Sequence, residues 1–588
     1  MTADGRATAG APPYPGVPRG LPGRLIARAR GIGPGAWALA ALCTVLFVWP
    51  VSMIVVAAFH DGLISDPGGT WTAGPLVETL SDPGTLAVLG QSVLLASVVS
   101  VLSMLIAAVF AWMVARTDVP LRGLVTPLML LTMVSPNLFF AISWDMLGNP
   151  RVGLINQVIM AMTGAERGPI DITSWPGLIF VCVLKAVGFN YFLILAPFLA
   201  MDRSLEEASL VSGMGKIRTF FRVHVPLLAP ALLGALLLAF VSFLEAFDFP
   251  QIIGLPAGIR VFSTEIYRYI SGDAGGRYAE ASSLALVLMV IIVVLIAVQS
   301  RVLGRKRYTT MSGKSYRTER WSLGPVRWLG TAMIALHALL ALVLPLIQLY
   351  IGSFQSFFGL YDNWTLDNYR RVLDDPDTVS AITTTFGLAF VGGFATMLLC
   401  VVLAWVIRTR PGLLSRYMGG ALWVTVTVPG IVLGMGIMWS FLSVPGLNQL
   451  YATVWIMLIG LVIAAVPVAV RTAEGSVAQI PAEFEEAARV SGAGRVRAFL
   501  GLILRLLIPS FGYGWLVAAI LISGNLAVPL LLASPDVATV AIEVLNLNRS
   551  GDTATAAALF GLLLAVWGVL AVLALSARAL GRRLKENR

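Results

Sequence analysis

Charge is scarce in this chain. Only 12% of its 588 residues are Asp, Glu, Lys or Arg, against about a quarter in soluble domains. That scarcity excludes a water-soluble globular protein of ordinary type. Cysteine is nearly absent too: Cys43, Cys182 and Cys400 sit in separate apolar runs. An odd, scattered set gives neither a disulfide framework nor a metal-ligand spacing. The three histidines, His60, His224 and His337, are far apart and form no ligand cluster. Short alternating segments, the mark of a β-barrel, are missing as well.

What the chain has is apolar length. Hydrophobic residues make up 57%, and the mean hydropathy is +0.84. A spanning helix needs roughly 20 apolar residues, and about a dozen such runs are present. Helices follow because lipid offers no partner to an unpaired backbone N–H or C=O. The spans read as 36–59, 86–115, 123–147, 176–200, 227–250 and 281–303, then 328–352, 379–407, 414–441, 448–470, 511–534 and 554–580. Residues 1–35, rich in Gly, Pro, Ala and Arg, read as a disordered cytoplasmic tail rather than a signal peptide. Two six-span domains follow, 36–303 and 328–580. A basic linker, 304–327, joins them, and 581–588 forms a short tail.

The formal charge of +10 does not indicate nucleic acid. Lys and Arg lie in short loops: Arg116 and Arg122, Arg203 to Arg222, 301–327, Arg408 to Arg416, Arg489 to Arg505, and the C-terminus. With twelve spans these loops share one side. The positive-inside rule makes that side cytoplasmic, with both termini on it.

The halves repeat. Residues 206–220 read EEASLVSGMGKIRTF and residues 485–499 read EEAARVSGAGRVRAF, an ungapped match at an offset of 279. The same offset pairs Pro230 with Pro509 and Pro250 with Pro529. Pro136 and Pro429, in the third span of each half, pair at a larger offset. The first half therefore carries extra residues near 148–175. Six spans per half makes these parallel repeats about an axis along the membrane normal.

The repeated loop resembles the EAA loop of ABC-importer permeases. Its core is Glu206, Glu207, Ala208 and Gly213 in one half, and Glu485, Glu486, Ala487 and Gly492 in the other. The second copy departs at its end, where Arg505 stands at the position of Pro226 and leaves the start of the next helix open. Read physically, the loop is a short polar helix, a glycine turn and a basic, aromatic helix start, able to dock in a groove of a soluble partner. The bland alternative is a basic loop lying on anionic lipid. The resemblance implies an all-α integral membrane fold of two parallel six-helix type I ABC permease repeats, in the bacterial cytoplasmic membrane. It also implies two copies of an ABC ATPase subunit on the EAA loops and an extracytoplasmic solute-binding protein. Fused permeases of this size resemble those of ferric-iron importers, with thiamine, aminoethylphosphonate and polyamine systems as alternatives.

No ATP site is expected in this chain. Gly313-Lys314-Ser315 lacks the earlier glycine of a P-loop, because Tyr308 occupies that position. ATP and Mg²⁺ are expected on the partner, and no cofactor, metal site or catalytic residue here. Charged and polar groups inside spans mark pathways by default. The candidates are Lys185, Asn190, Glu245, Asp248 and Asn525. Gly524 and Ala527 stand opposite the two acids in the second half. The acids either line a cation-friendly mouth or simply reach interfacial water, with Lys185 as a pairing partner in the second case. The four matched prolines read as kinks beside the pathway, or, for Pro250 and Pro529, as plain helix ends. Two rival classes are an ion-coupled secondary transporter and a membrane scaffold without a solute path. The first gives no reason for twin EAA loops.

Overall fold

The computed structural model describes residues 34–61, 69–200, 208–209, 211–272, 276–304, 321–492, 494–534 and 536–586. Among these, ten helices are long and apolar enough to cross a membrane. The first half contributes Pro34–Ala58, Pro83–Arg116, Trp175–Ala200, Val225–Leu244 and Tyr278–Arg301. The second contributes Gly324–Ser353, Pro376–Thr409, Val454–Ala478, Phe499–Ser523 and Thr553–Leu573. The third span of each half is not one helix. Arg122–Val134 and Asn137–Leu147 meet at 95°, and Leu413–Thr425 and Gly430–Leu442 meet at 114°. The breaks fall at Pro136 and Pro429, where the sequence predicts kinks within 123–147 and 414–441, but they are far sharper than kinks.

Hydrogen bonds fix how each broken pair counts. Asn190 Nδ2 donates to Ser103 Oγ (2.7 Å) and Arg116 Nη2 to the Phe198 carbonyl (3.2 Å). The second and fourth spans therefore run in the same direction. In the other half Thr396 donates to Val462 O (3.2 Å), and Arg408 reaches Val477 O and, at 2.6 Å, Ile480 O. Two parallel spans require one crossing between them, so each broken pair crosses once. Twelve crossings result.

Both halves are built from the same local devices. Asp82 and Asp375 cap helices of 34 residues each by accepting from backbone N–H groups of the first turn. Backbone donors of Gly84 and Thr85 hold the Asp82 carboxyl below its ordinary range; for Asp375 the Thr378 hydroxyl is the first cause. Further in, Ser92 Oγ accepts from Phe262 N (2.9 Å) and Thr385 Oγ1 from Val540 N (2.8 Å). These bonds seat the amphipathic helices Phe262–Ser271 and Val540–Arg549 on the end away from the EAA loops. The extra residues of the first half form the helix Leu154–Thr163.

The first span of each half lies on the broken span of the other half. Thr44 Oγ1 and Tyr417 Oη are 2.6 Å apart, and a Cβ on Gly436 would strike the Pro50 carbonyl at 2.4 Å. Reciprocally, a Cβ on Gly330 would meet Val119 at 2.9 Å, and one on Gly352 would meet Met146 at 2.1 Å. Small residues let membrane helices approach this closely. Outside, Leu94, Leu105, Val293, Val391, Phe394 and Val572 are exposed, an apolar exterior suited to lipid. The three cysteines are free and buried.

Two span boundaries differ from the sequence expectation. The predicted 511–534 is Phe499–Ser523, and 448–470 is Val454–Ala478. Pro509 lies inside its helix, as Pro230 does in the first half. Pro250 and Pro529 lie beyond the fifth spans, at the starts of the short helical segments Pro250–Gly254 and Pro529–Leu532. They are helix starts, not kinks within a span.

Candidate functional site

The two EAA elements occupy the same end of the bundle. Arg116, Phe198 and the EAA element that follows share one end, and Trp321 N donates to Arg116 O (2.9 Å), bringing the start of the second half there. From Trp321 the chain crosses in Gly324–Ser353 and returns in Pro376–Thr409. Arg408 then meets Val477 and Ile480, just before the second element.

Their backbones match at the 279-residue offset. Lys216–Thr219 is followed by a π-helical turn, Phe220–His224, and the helix Val225–Leu244. Arg495–Ala498, Phe499–Ile503 and Leu504–Ser523 follow the same course. The helix therefore starts at the matched position although Arg505 replaces Pro226. Gly213 and Gly492 both have φ of +81°, and a Cβ at either position would meet nothing within 4 Å. Backbone conformation rather than space therefore demands glycine. Ser212 and Ser491 each bond back, through N–H and hydroxyl, to the carbonyls of Ala208 and Ala487. Ala208, Glu486, Ala487, Gly213 and Gly492 are exposed. Beside them Val211 is 89% exposed and Val490 is 90% exposed. Both aliphatic side chains thus stand open at matched positions. Glu206 and Glu207 lie outside the described residues, and Glu485 belongs to the helix Ala482–Val490.

The pathway candidates divide. Lys185, eleven residues into the fourth span, is buried. Its ammonium donates to the Thr132 carbonyl (2.6 Å), the Met133 carbonyl (3.3 Å), Ser135 Oγ (3.0 Å) and the Ser135 carbonyl. Those carbonyls end the helix Arg122–Val134 at the break. A cation satisfies them and complements the negative helix end. Lys185 is a cap for broken backbone, and no ion pair within 4 Å joins it to Glu245 or Asp248. Asn190, fully buried, ties the fourth span to Ser103 of the second. Asn525 closes its own turn, accepting from Val528 N (3.1 Å).

Asp248 stands beside the break of the third span. Its Oδ2 accepts from Nδ2 of Asn137 (3.2 Å), an exposed residue just past the break. Asp248 Oδ1 and Glu245 Oε1 are shielded without a hydrogen-bond partner. Asn137 was missed in the sequence; its one signal was its place directly after Pro136. In the second half a Cβ on Gly430 would touch Ala527 at 3.2 Å, so the pair Asn137–Asp248 has the apolar counterpart Gly430–Ala527. Across the halves, Gly524 packs on Pro136, where a Cβ would come within 2.5 Å. Non-helical backbone at membrane depth is tolerated where protein buries it or water reaches it. At Ser135–Asn137 protein buries Pro136 and leaves Asn137 exposed.

Residues 103–310 and 397–586 match the family model described as binding-protein-dependent transport system inner membrane component. The chain belongs to this family. It is a multi-pass inner-membrane permease of two fused repeats, served by a binding protein. Among its relatives, the ferric transport system permease protein FbpB of Actinobacillus pleuropneumoniae is 23% identical over 524 residues, covering 88% of this chain and 74% of that protein. A second ferric transport permease, from Haemophilus influenzae, is 23% identical over 479 residues, covering 80% and 73%. The sn-glycerol-3-phosphate permease UgpA of Yersinia enterocolitica is 27% identical over 279 residues, covering 45% of this chain and 91% of that one. A chain of a bacterial ABC transporter that imports alginate aligns at a TM-score of 0.39 and 16% identity, over 48% of this chain and 99% of that one, a likeness too loose to carry weight.

Proposed function

We propose that this chain forms the membrane channel of an ATP-driven importer for ferric iron. Two copies of an ABC ATPase seat on the two EAA elements, and ATP–Mg²⁺ binds there rather than in this chain. The carrying observation is the matched pair of seats, Val211 with Gly213 and Val490 with Gly492, on one end of the bundle. Basic loops make that end, and both termini, cytoplasmic. The binding protein delivers solute to the opposite end, near Phe262–Ser271 and Val540–Arg549.

The halves rock when the ATPases close, provided the seats dock differently in the two ATPase states. Solute passes beside the break of the first half's third span, with Asp248 and Asn137 as its polar side. Carboxylate and carboxamide oxygens suit a hard cation. The ferric relatives, matched over most of both chains, favour iron; UgpA, matched over one half's length, makes an organic phosphate the competing cargo. The test is uptake into vesicles holding the chain, its ATPase and its binding protein. Reversing charge at Glu207 and Glu486 together should abolish uptake and ATPase co-purification while membrane insertion persists. Normal uptake by that double variant overturns the docking reading. Uptake of sn-glycerol-3-phosphate without ferric iron overturns the cargo.

A further inference from the structure

A cleft of about 1050 Å³ opens on the coupling end, beside the first of the two EAA elements. Its floor is apolar: Val109, Met113, Val119, Leu329 and Met333. Its rim carries Arg218 and Arg222 of the first element, both exposed. The opposite wall is the start of the seventh span, Gly324–Ser353, where Val326 is 60% exposed. This wall is strapped in place. Trp321 N donates to Arg116 O (2.9 Å) and Leu323 N to Asp118 Oδ1 (3.0 Å). The Asp118 carboxylate nearby is thus engaged by backbone.

We propose that this cleft holds an anionic phospholipid of the leaflet on the coupling side, acyl chain on the apolar floor and phosphate between Arg218 and Arg222. Three observations converge. The floor lies at the ends of spans, within reach of acyl chains. The rim supplies two guanidinium groups, the natural bidentate partners of phosphate. The rim lies at the ends of spans on the side of the basic loops, where guanidinium groups attract anionic lipid. The second half keeps only half of this rim: Arg497 matches Arg218, whereas Leu500 and Gly501 stand at the positions of Phe221 and Arg222. A lipid here touches the first coupling element and the linker end of the second half together, so it ties the two halves on one side only.

The test uses the full chain in nanodiscs of phosphatidylcholine and phosphatidylglycerol, with retained lipid measured by native mass spectrometry after detergent extraction. Wild type and Arg497→Gln, which alters the matched arginine of the other element, should each retain one phosphatidylglycerol. Arg218→Gln/Arg222→Gln should retain it roughly twenty-five-fold less, about five-fold for each guanidinium removed. Leu329→Trp, which fills the floor and leaves both arginines, should also lose it. Equal retention by the double variant overturns the proposal. So does displacement of the lipid by bound ATPase, which would make the cleft part of the docking surface.

Discussion

The two halves share a backbone plan and differ in what fills it. The shared part is mechanical: capped 34-residue helices, exchanged first spans, a π-helical turn after each coupling element, and glycines at φ +81°. The unshared part is polar, and it belongs to the first half. Lys185, Asn190, Glu245, Asp248 and Asn137 correspond to Ala464, Ala469, Gly524, Ala527 and Gly430 at matched positions. The halves even mend the same break differently. The first half borrows an ammonium from another span. In the second, Thr425 and Thr427 hydroxyls bond the Leu422 and Val424 carbonyls (2.7 and 2.8 Å). On the proposed function, symmetry is kept where the ATPases would apply force and dropped where solute would pass, which a fused chain permits and a homodimer does not.

That contrast can be broken by substitution. Lys185→Met should have the largest effect, leaving several buried carbonyls unpaired and lowering stability by on the order of 3 kcal/mol. Thr427→Val, at the corresponding break, should cost about 1 kcal/mol. Chemical denaturation in detergent reads both, and equal costs would deny the asymmetry. Gly213→Ala and Gly492→Ala should behave alike, each destabilising its element by about 1 kcal/mol through left-handed strain and reducing ATPase co-purification to the same degree. Asp248→Asn should slow uptake of a cationic solute while leaving ATPase docking intact, whereas Ala527→Ser, at the matched site, should change little. Asp82→Ala and Asp375→Ala should give the smallest effects, similar falls in Tm. Both caps act as carboxylates held below their usual range. Their contribution is complete above the ordinary carboxyl pKa, about 3.9, and disappears only as pH falls through the lowered value.

Much of this architecture was legible in the sequence, because lipid imposes a coarse rule that hydropathy and loop charge report. The twelve crossings and the in-phase repeat follow from that rule. The breaks at Pro136 and Pro429 were not legible as such: proline signals a kink, and apolar residues on both sides give no hint of a 95° or 114° turn. The role of Lys185 was hidden for a related reason. Its partners lie about fifty residues upstream, and their carbonyls carry no sequence signature. The misplaced fifth span of the second half traces to Arg505 and Pro509, which interrupt the apolar run without interrupting the helix. At the coupling elements the glycines were readable, whereas the exposure of Val211 and Val490 was not, since valine ordinarily signals burial.

Cysteine cross-linking tests the central claim most directly. The three native cysteines are buried, so Val211→Cys and Val490→Cys, introduced singly, should report only the coupling elements. Each should cross-link to the ATPase subunit with similar yield, and the yields should change together when ATP is added. Cross-linking at one position alone, or at neither, would contradict the account.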